Sequence, residues 1–207
     1  MRAVRLATLL LLSSCATTPP VEGRTWYWLG SVISLSPMQP ASPESYTLQF
    51  IDDRAAIRAD CNRGAGKVTL KGDRVSFGPM AMTRAFCPPP SLGDAYARQL
   101  HAAEQASVVD GVLRIELKDD DAMFFTEDPK ARLALYRCRE QKMLSVLYAG
   151  DTAQVWYDRA HYALQRERSA SGARYTDGRA TFDTKGVLGS LRKGDAFLAQ
   201  NCQLPSR

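Results

Sequence analysis

The chain has 207 residues, 45% of them apolar and 24% charged, with a formal net charge of +5. That length and balance describe one large or two small packed domains and exclude a disordered chain. Past the first residues no stretch approaches the roughly 18 to 20 uninterrupted apolar residues of a membrane-spanning helix, so any membrane attachment is expected from the N-terminus.

Met1 to Arg5 is basic, Leu6 to Leu12 is apolar, and Ser13-Ser14-Cys15 ends the run in small residues. This is the pattern of an export signal, too short to span a bilayer as a mature helix. Leu12-Ser13-Ser14-Cys15 resembles a bacterial lipobox, which implies removal of residues 1–14 and a lipid anchor on Cys15. Ala16 in the second mature position resembles lipoproteins sent to the outer membrane, so a cell-envelope protein facing the periplasm is expected. Residues 15–23 include Thr17-Thr18-Pro19-Pro20, a proline-stiffened tether of at most roughly 25 to 30 Å.

With Cys15 lipidated, Cys61, Cys87, Cys138 and Cys202 remain, an even number that favours disulfides in an exported chain. Counting leaves three connectivities. Placement favours Cys61 with Cys87 and Cys138 with Cys202, because one pair lies in the first half, the other brackets the second, and a linker separates them. In the chain-entropy model each bridge contributes about 3 to 4 kcal/mol. There is no C-x-x-C pair, and His101 and His161 are isolated from the cysteines and from each other, so no metal site is expected.

Residues 24–127 form the first expected domain. Trp26-Tyr27-Trp28-Leu29 opens it, and Tyr46 to Ile51 alternates as a half-buried strand should. Ala55 to Ala59, Gly66 to Leu70 and Arg74 to Phe77 read as further strands, and Val112 to Leu117 with Ala122 to Phe125 as a closing hairpin. Between them the spacing of Leu92, Tyr96, Leu100 and Ala103 predicts one helix from Ser91 to about Ala106, with Ser91 and Asp94 as a capping box and Pro88-Pro89-Pro90 preventing an earlier start. Asn62 and Thr83 are read as closing turns through side chain to backbone bonds, and Lys118-Asp119-Asp120-Asp121 as a solvated hairpin tip. Trp26 with Trp28-Leu29, Cys61-Asn62 with Gly66, and Ala81-Met82-Thr83-Arg84-Ala85-Phe86-Cys87-Pro88 together resemble the META, or HslJ-like, domain family. The resemblance implies an α+β domain of the bacterial envelope with no agreed chemistry.

Thr126 to Lys130 is a polar, proline-containing joint, and the charge balance changes across it. Residues 24–130 carry 12 basic and 14 acidic side chains, residues 131–207 carry 13 and 7. After the joint, residues 131–204 are nearly all short strands: Leu133 to Cys138, Met143 to Tyr148, Gln154 to Tyr157, His161 to Arg166, Arg174 to Thr176, Ala180 to Phe182 and Val187 to Leu191. Tyr175 to Ala180 carries a hairpin signal in Asp177-Gly178. Seventy residues of this kind predict a small antiparallel barrel, since closure removes exposed strand edges, and Cys138 with Cys202 would tie its first strand to its last. The fold class expected for the whole chain is therefore mainly β, in two domains.

Tyr136-x-Cys138, Ser169-Ala170-Ser171-Gly172-Ala173-Arg174-Tyr175, Phe182-x-x-Lys185-Gly186 and Cys202 resemble the MliC/PliC family of membrane-bound inhibitors of C-type lysozyme. The resemblance implies that Ser171 and Lys185 enter a lysozyme cleft and bond to its two catalytic carboxyls, with Gly172, Arg174, Tyr175 and Gly186 completing the lysozyme-binding set. A hydroxyl and an ammonium delivered together suit a cleft holding one protonated and one ionised carboxyl. Taken alone, Gly172 permits a turn, Tyr175 belongs in a core and Arg174 on a solvated strand face. The basic second domain forgoes long-range attraction to a basic lysozyme, and Val187-Leu188-Gly189-Ser190 is less polar than the resemblance leads one to expect.

Two other functions fit the residues. One is an envelope stress or interaction module that binds cell-wall or membrane-protein partners, and the other is an anionic-glycan module using Arg166, Arg168, Arg174 and Arg179. No G-x-S-x-G elbow or phosphate-binding loop occurs and neither His lies near a Ser or Cys motif, so no enzyme, cofactor or nucleic-acid partner is expected.

Overall fold

The computed structural model describes residues 20–139 and 141–205. The export signal at 1–14, the lipidated Cys15 and most of the tether lie outside the described residues. Among the described residues no helix is long and apolar enough to cross a membrane.

The first half is a nine-stranded antiparallel sheet in the order β2-β1-β3-β4-β5-β6-β7-β8-β9. Its strands are β1 (Trp26–Ile33), β2 (Ser36–Met38), β3 (Tyr46–Ile51), β4 (Arg54–Ala59), β5 (Asn62–Lys71), β6 (Arg74–Met82), β7 (Gln105–Val109), β8 (Val112–Glu116) and β9 (Ala122–Thr126). β1 also pairs with β9, from Tyr27↔Thr126 to Val32↔Ala122, which brings the last strand back to the first. Tyr46, Leu48 and Phe50 of β3 all point inward, as the period of two requires.

One helix, α1 (Gly93–His101), packs on this core through Tyr96 and Leu100. Trp28, Tyr46 and Tyr96 form an aromatic cluster with ring centroids 5.1 to 5.8 Å apart. Burial pushes the Tyr96 phenol well above its usual range, and its hydroxyl donates to the Thr47 carbonyl at 2.9 Å.

The helix is shorter than its periodicity suggested. It ends at His101 because the chain must turn into β7, whose Gln105–Val109 pairs with β8 and buries Ala106 in the same core. Ladder bonds along a strand outweigh the helical preference of the same residues. Ser91 and Asp94 do not form a capping box: Leu92 is the N-cap, and Ser91 Oγ accepts the Gly93 N–H at 3.3 Å instead.

The second half is a closed eight-stranded barrel. It comprises β10 (Arg132–Arg137), β11 (Met143–Ala149), β12 (Thr152–Tyr157), β13 (Ala160–Glu167), β14 (Ala173–Thr176), β15 (Ala180–Lys185), β16 (Leu188–Lys193) and β17 (Ala196–Gln203). β17, with its exposed Phe197, Gln200 and Asn201, did not read as a strand, yet it closes the barrel at Arg137↔Gln203 and carries Cys202. Cys138 is bonded to Cys202, and Cys61 to Cys87. Tyr136, Leu144, Val146, Leu164, Tyr175, Phe182 and Leu191 fill the barrel.

The halves are not beads on a flexible joint. Leu133, Leu135 and Leu147 alternate with barrel-filling residues and so face outward, yet all are buried against Leu29, Val32, Val112, Ala122 and Phe124 of the first sheet. A third hydrophobic core therefore lies between the sheets, with Phe124 and Trp156 rings 5.3 Å apart. Polar contacts frame it. Gln39 Nε2 donates to the Leu133 carbonyl at 3.0 Å, Arg137 Nη2 to the Leu35 carbonyl at 2.9 Å, and Arg159 Nε to Asp120 Oδ1 at 2.9 Å. The joint is itself pinned by Arg24 Nη1 on Glu127 Oε1 at 2.5 Å.

The acidic run is accordingly more than a solvated tip. Asp120 holds Arg159 of the barrel, and Asp121 Oδ1 accepts the Ser34 N–H at 2.7 Å. Asn62 and Thr83 do close the β5–β6 end, with Asn62 bonding both the N–H and the carbonyl of Ala85.

His161 sits beside this junction, its ring 4.9 Å from that of Trp156 and its Nε2 2.7 Å from Gln154 Oε1. Burial holds its pKa below the usual 6.5, the Asp110 carboxylate pulling it back up and the Arg114 charge pushing it further down. A histidine with a depressed folded-state pKa contributes stability that is complete above about pH 6.5 and lost as the pH falls below it. Thermal unfolding midpoints should drop from pH 7 to pH 5 by more in the unmodified protein than in His161→Gln. Parallel pH profiles would contradict this.

Candidate partner-binding site

The second-domain motifs meet at one end of the barrel. β14 and β15 are neighbours, with Ala173↔Thr184 and Arg174↔Asp183 in register, so the Ser169–Gly172 loop that leads into β14 lies beside the end of β15. Lys185↔Leu188 is the last pair of the next hairpin, leaving Gly186 and Val187 as a two-residue turn. Gly186 has φ +61°, the left-handed conformation that such turns need at their first position.

Gly172 sets the distance between the loops. Its φ is +73°, and a Cβ there would lie 2.1 Å from the Thr184 carbonyl oxygen and 3.3 Å from the Lys185 Cα. Only glycine lets the two backbones touch. Gly172→Ala should therefore force the Ser171 loop off β15 and weaken partner binding at least tenfold while lowering stability by about 1 to 3 kcal/mol. An alanine variant with unchanged affinity would show that the spacing of the tips is immaterial.

The site is stiff below and open above. Ser169 Oγ donates to the Ser171 carbonyl at 2.9 Å, and Thr184 Oγ1 to the Leu188 carbonyl at 3.0 Å. Thr184 Oγ1 lies 3.3 Å from the Tyr136 hydroxyl, which lies 3.2 Å from that of Tyr148. Burial, then the neighbouring Tyr136, pushes the Tyr148 phenol up, so the Tyr148 hydroxyl stays protonated and braces the end. Above it Ser171, Gly172, Lys185 and Gly186 are exposed, and among the described residues no carboxylate pairs with Lys185.

Arg174 and Tyr175 stand differently. Tyr175 is 5% exposed, packed against Tyr148 and Phe182, so its ring holds the strand rather than meeting a partner. Arg174 Nε donates to Asp183 Oδ1 at 2.7 Å, and Asp183 also holds Arg192 at 3.2 Å. Arg179 lies in the β14–β15 turn, at the opposite end of β15 from Lys185, so the four arginines of the glycan reading do not share one patch.

Sequence reasoning missed an apolar surround. Val187 is 51%, Leu188 50% and Phe197 52% exposed; Val187 and Leu188 flank the Lys185 tip, and Phe197, paired with Arg192, lies farther along β17. Leu188, Phe197 and Asn201 line a groove of about 310 Å³ with Lys185 itself. The unusually apolar Val187-Leu188 was the signal; a cation flanked by two exposed apolar side chains suits a protein interface.

The site end is also the end far from where the chain enters. β1 runs from Trp26, beside the Arg24–Glu127 pair, toward Leu35, and β10 runs alongside it from Arg132 to Arg137, which bonds Leu35. Cys138 and the Val187 turn lie at that far end, where the Leu204 N–H donates to the Val187 carbonyl at 2.9 Å. Among the described residues no cluster of His, Cys, Asp and Glu could hold a metal ion.

An antiparallel sheet with one helix, fused through a shared core to a disulfide-closed barrel, defines a two-domain, mainly β protein. The chain belongs to the META domain family, whose model matches residues 21–130. A second family model, for the membrane-bound lysozyme-inhibitor of c-type lysozyme (MliC), matches residues 136–198. The membrane-bound lysozyme inhibitor of C-type lysozyme from Escherichia coli (strain K12) is 39% identical over 71 residues, 33% of this chain and 64% of that protein. The chain thus spans about two thirds or slightly less of the length of that curated relative. An NMR structure of a protein from Burkholderia xenovorans is 19% identical, covering 60% of this chain and all of that one with a TM-score of 0.47.

Proposed function

We propose that this protein inhibits a C-type lysozyme by inserting Ser171 and Lys185 into the cleft and occupying its paired carboxyls. The reading is supported above all by the close approach of the two loops at Gly172, with Ser171 and Lys185 both exposed on adjoining loops of a braced barrel end. The matched MliC model and the relative's name support the partner. Lys185 supplies a positive charge to the ionised acid, Ser171 a hydroxyl to its protonated neighbour, and the apolar surround excludes water from both. Inhibition is then competitive and stoichiometric, with no chemistry done by the inhibitor.

The same reading places the protein in the bacterial envelope, held by a lipid on Cys15 in the outer membrane and facing the periplasm. The relative's printed description as membrane-bound agrees with this. With the tips at the end remote from Arg24, the anchored protein would present its site away from the bilayer. A cell-wall turbidity assay with oxidised full-length protein tests the proposal. Lysis by a C-type lysozyme should stop near one equivalent of inhibitor, and undiminished lysis at a large excess would refute it and favour the interaction-module reading.

A further inference from the structure

The META domain reaches the partner-binding end. Its β1–β2 turn, Ser34-Leu35, projects Leu35 with 39% exposure, and the Leu35 carbonyl is clamped by Arg137 of the barrel. Next to that clamp Pro37 of β2 lines a groove of about 530 Å³ together with Arg137, Arg139, Val187, Leu204 and Pro205. Pro37 is the META residue of this lining and the barrel with its C-terminal extension supplies the rest, and Val187 is the turn residue two positions after Lys185.

We infer that the binding face is composite: this groove is a second docking surface, continuous with the Lys185 tip, that takes an acidic, partly apolar lip of the same partner. The inference rests on the lysozyme-inhibitor reading and adds a role for the META domain to it. Three observations carry it. The described groove residues include two arginines, both exposed, and no acid, set among apolar Pro37, Val187, Leu204 and Pro205. A partner held at Lys185 must also cover the groove, because a standard interface occupies about 800 Å² a side, a patch roughly 28 Å across. The META edge at Pro37 cannot swing aside, since the third core and the Gln39, Arg137 and Asp120 contacts fix it to the barrel.

Binding of the oxidised full chain to a C-type lysozyme by biolayer interferometry tests this, using Leu35→Asp combined with Arg139→Glu. Leu35 has φ +61°, a conformation Asp tolerates better than Leu, and both side chains are exposed, so the fold should hold; thermal midpoints check it. The expected result is an affinity loss of at least tenfold, with Lys185→Ala weakening binding independently. Unchanged affinity in the double variant, while Lys185→Ala still binds poorly, would overturn the composite face and leave the inhibitor reading standing. Tighter binding through faster association would overturn it as well, because the groove would then be meeting a basic surface. No binding by the unmodified protein would overturn both.

Discussion

Lys185→Ala should cost about 2 to 5 kcal/mol of lysozyme affinity, a loss of roughly 30-fold to several thousand-fold, with almost no change in folding stability. The two effects separate because Lys185 is exposed and, among the described residues, has no ion-pair partner to lose. In the complex the same ammonium would sit in a water-poor cleft flanked by Val187 and Leu188, where removing one partner leaves a buried carboxylate unpaired. An exposed pair would contribute only about 0 to 1 kcal/mol, so the size of the loss reports whether the tip is buried on binding. Ser171→Ala should cost less, about 0.5 to 1.5 kcal/mol, because its hydroxyl meets the protonated, uncharged carboxyl. Calorimetric titration of both variants, with thermal midpoints as controls, measures this. A Lys185→Ala loss below threefold would mean that the tip stays in water.

Phe124→Ala should destabilise the whole protein by about 3 to 5 kcal/mol, the usual cost of truncating a fully buried aromatic ring. Phe124 is a META residue whose ring lies in the core shared with Leu133, Leu135, Leu147 and Trp156 of the barrel. Truncation opens a cavity that neither domain can close alone, and both should lose stability together. Denaturant unfolding of the unmodified protein, followed by tryptophan fluorescence and far-ultraviolet circular dichroism, should give one coincident transition. Two well-separated transitions, or a change below about 1 kcal/mol in the variant, would show that the junction is only a surface contact. The same core predicts that residues 131–207 alone self-associate, because they uncover three leucines and Trp156. Assays of inhibition therefore belong on the full chain.

The strands of both halves were largely legible because their signals are local. Alternation marks β3, and the hairpin at Asp177-Gly178 is fixed by side chain to backbone bonds from Asp177 to the N–H groups of Arg179 and Ala180. The disulfide pairs followed from placement. β7 was lost to a helical reading because Ala103 and Ala106 suit either period, and β17 because half of its residues face solvent. The junction was invisible for a related reason. Leu133-Ala134-Leu135-Tyr136 is a continuous apolar run, the mark of a strand covered on both faces, but nothing in the run says what covers it.

At the site the motif residues were legible and their neighbours were not. Gly172 reads as a turn glycine, yet its need comes from the Thr184 carbonyl, a contact made only once β14 and β15 pair. Phe197 and Pro37 stand 12 residues after and 148 residues before Lys185, and only barrel closure and the third core bring them near it. Tyr175 and Arg174 show the converse, motif residues turned toward the core and toward Asp183.

Competition for the cleft tests the central claim most directly. A C-type lysozyme saturated with a chitin-derived oligosaccharide long enough to cover both catalytic carboxyls should bind the full chain at least tenfold more weakly than free lysozyme, in proportion to the fraction of cleft occupied. Equal binding with and without that oligosaccharide, giving a stable ternary complex, would place the contact elsewhere on the enzyme and contradict the insertion of Ser171 and Lys185.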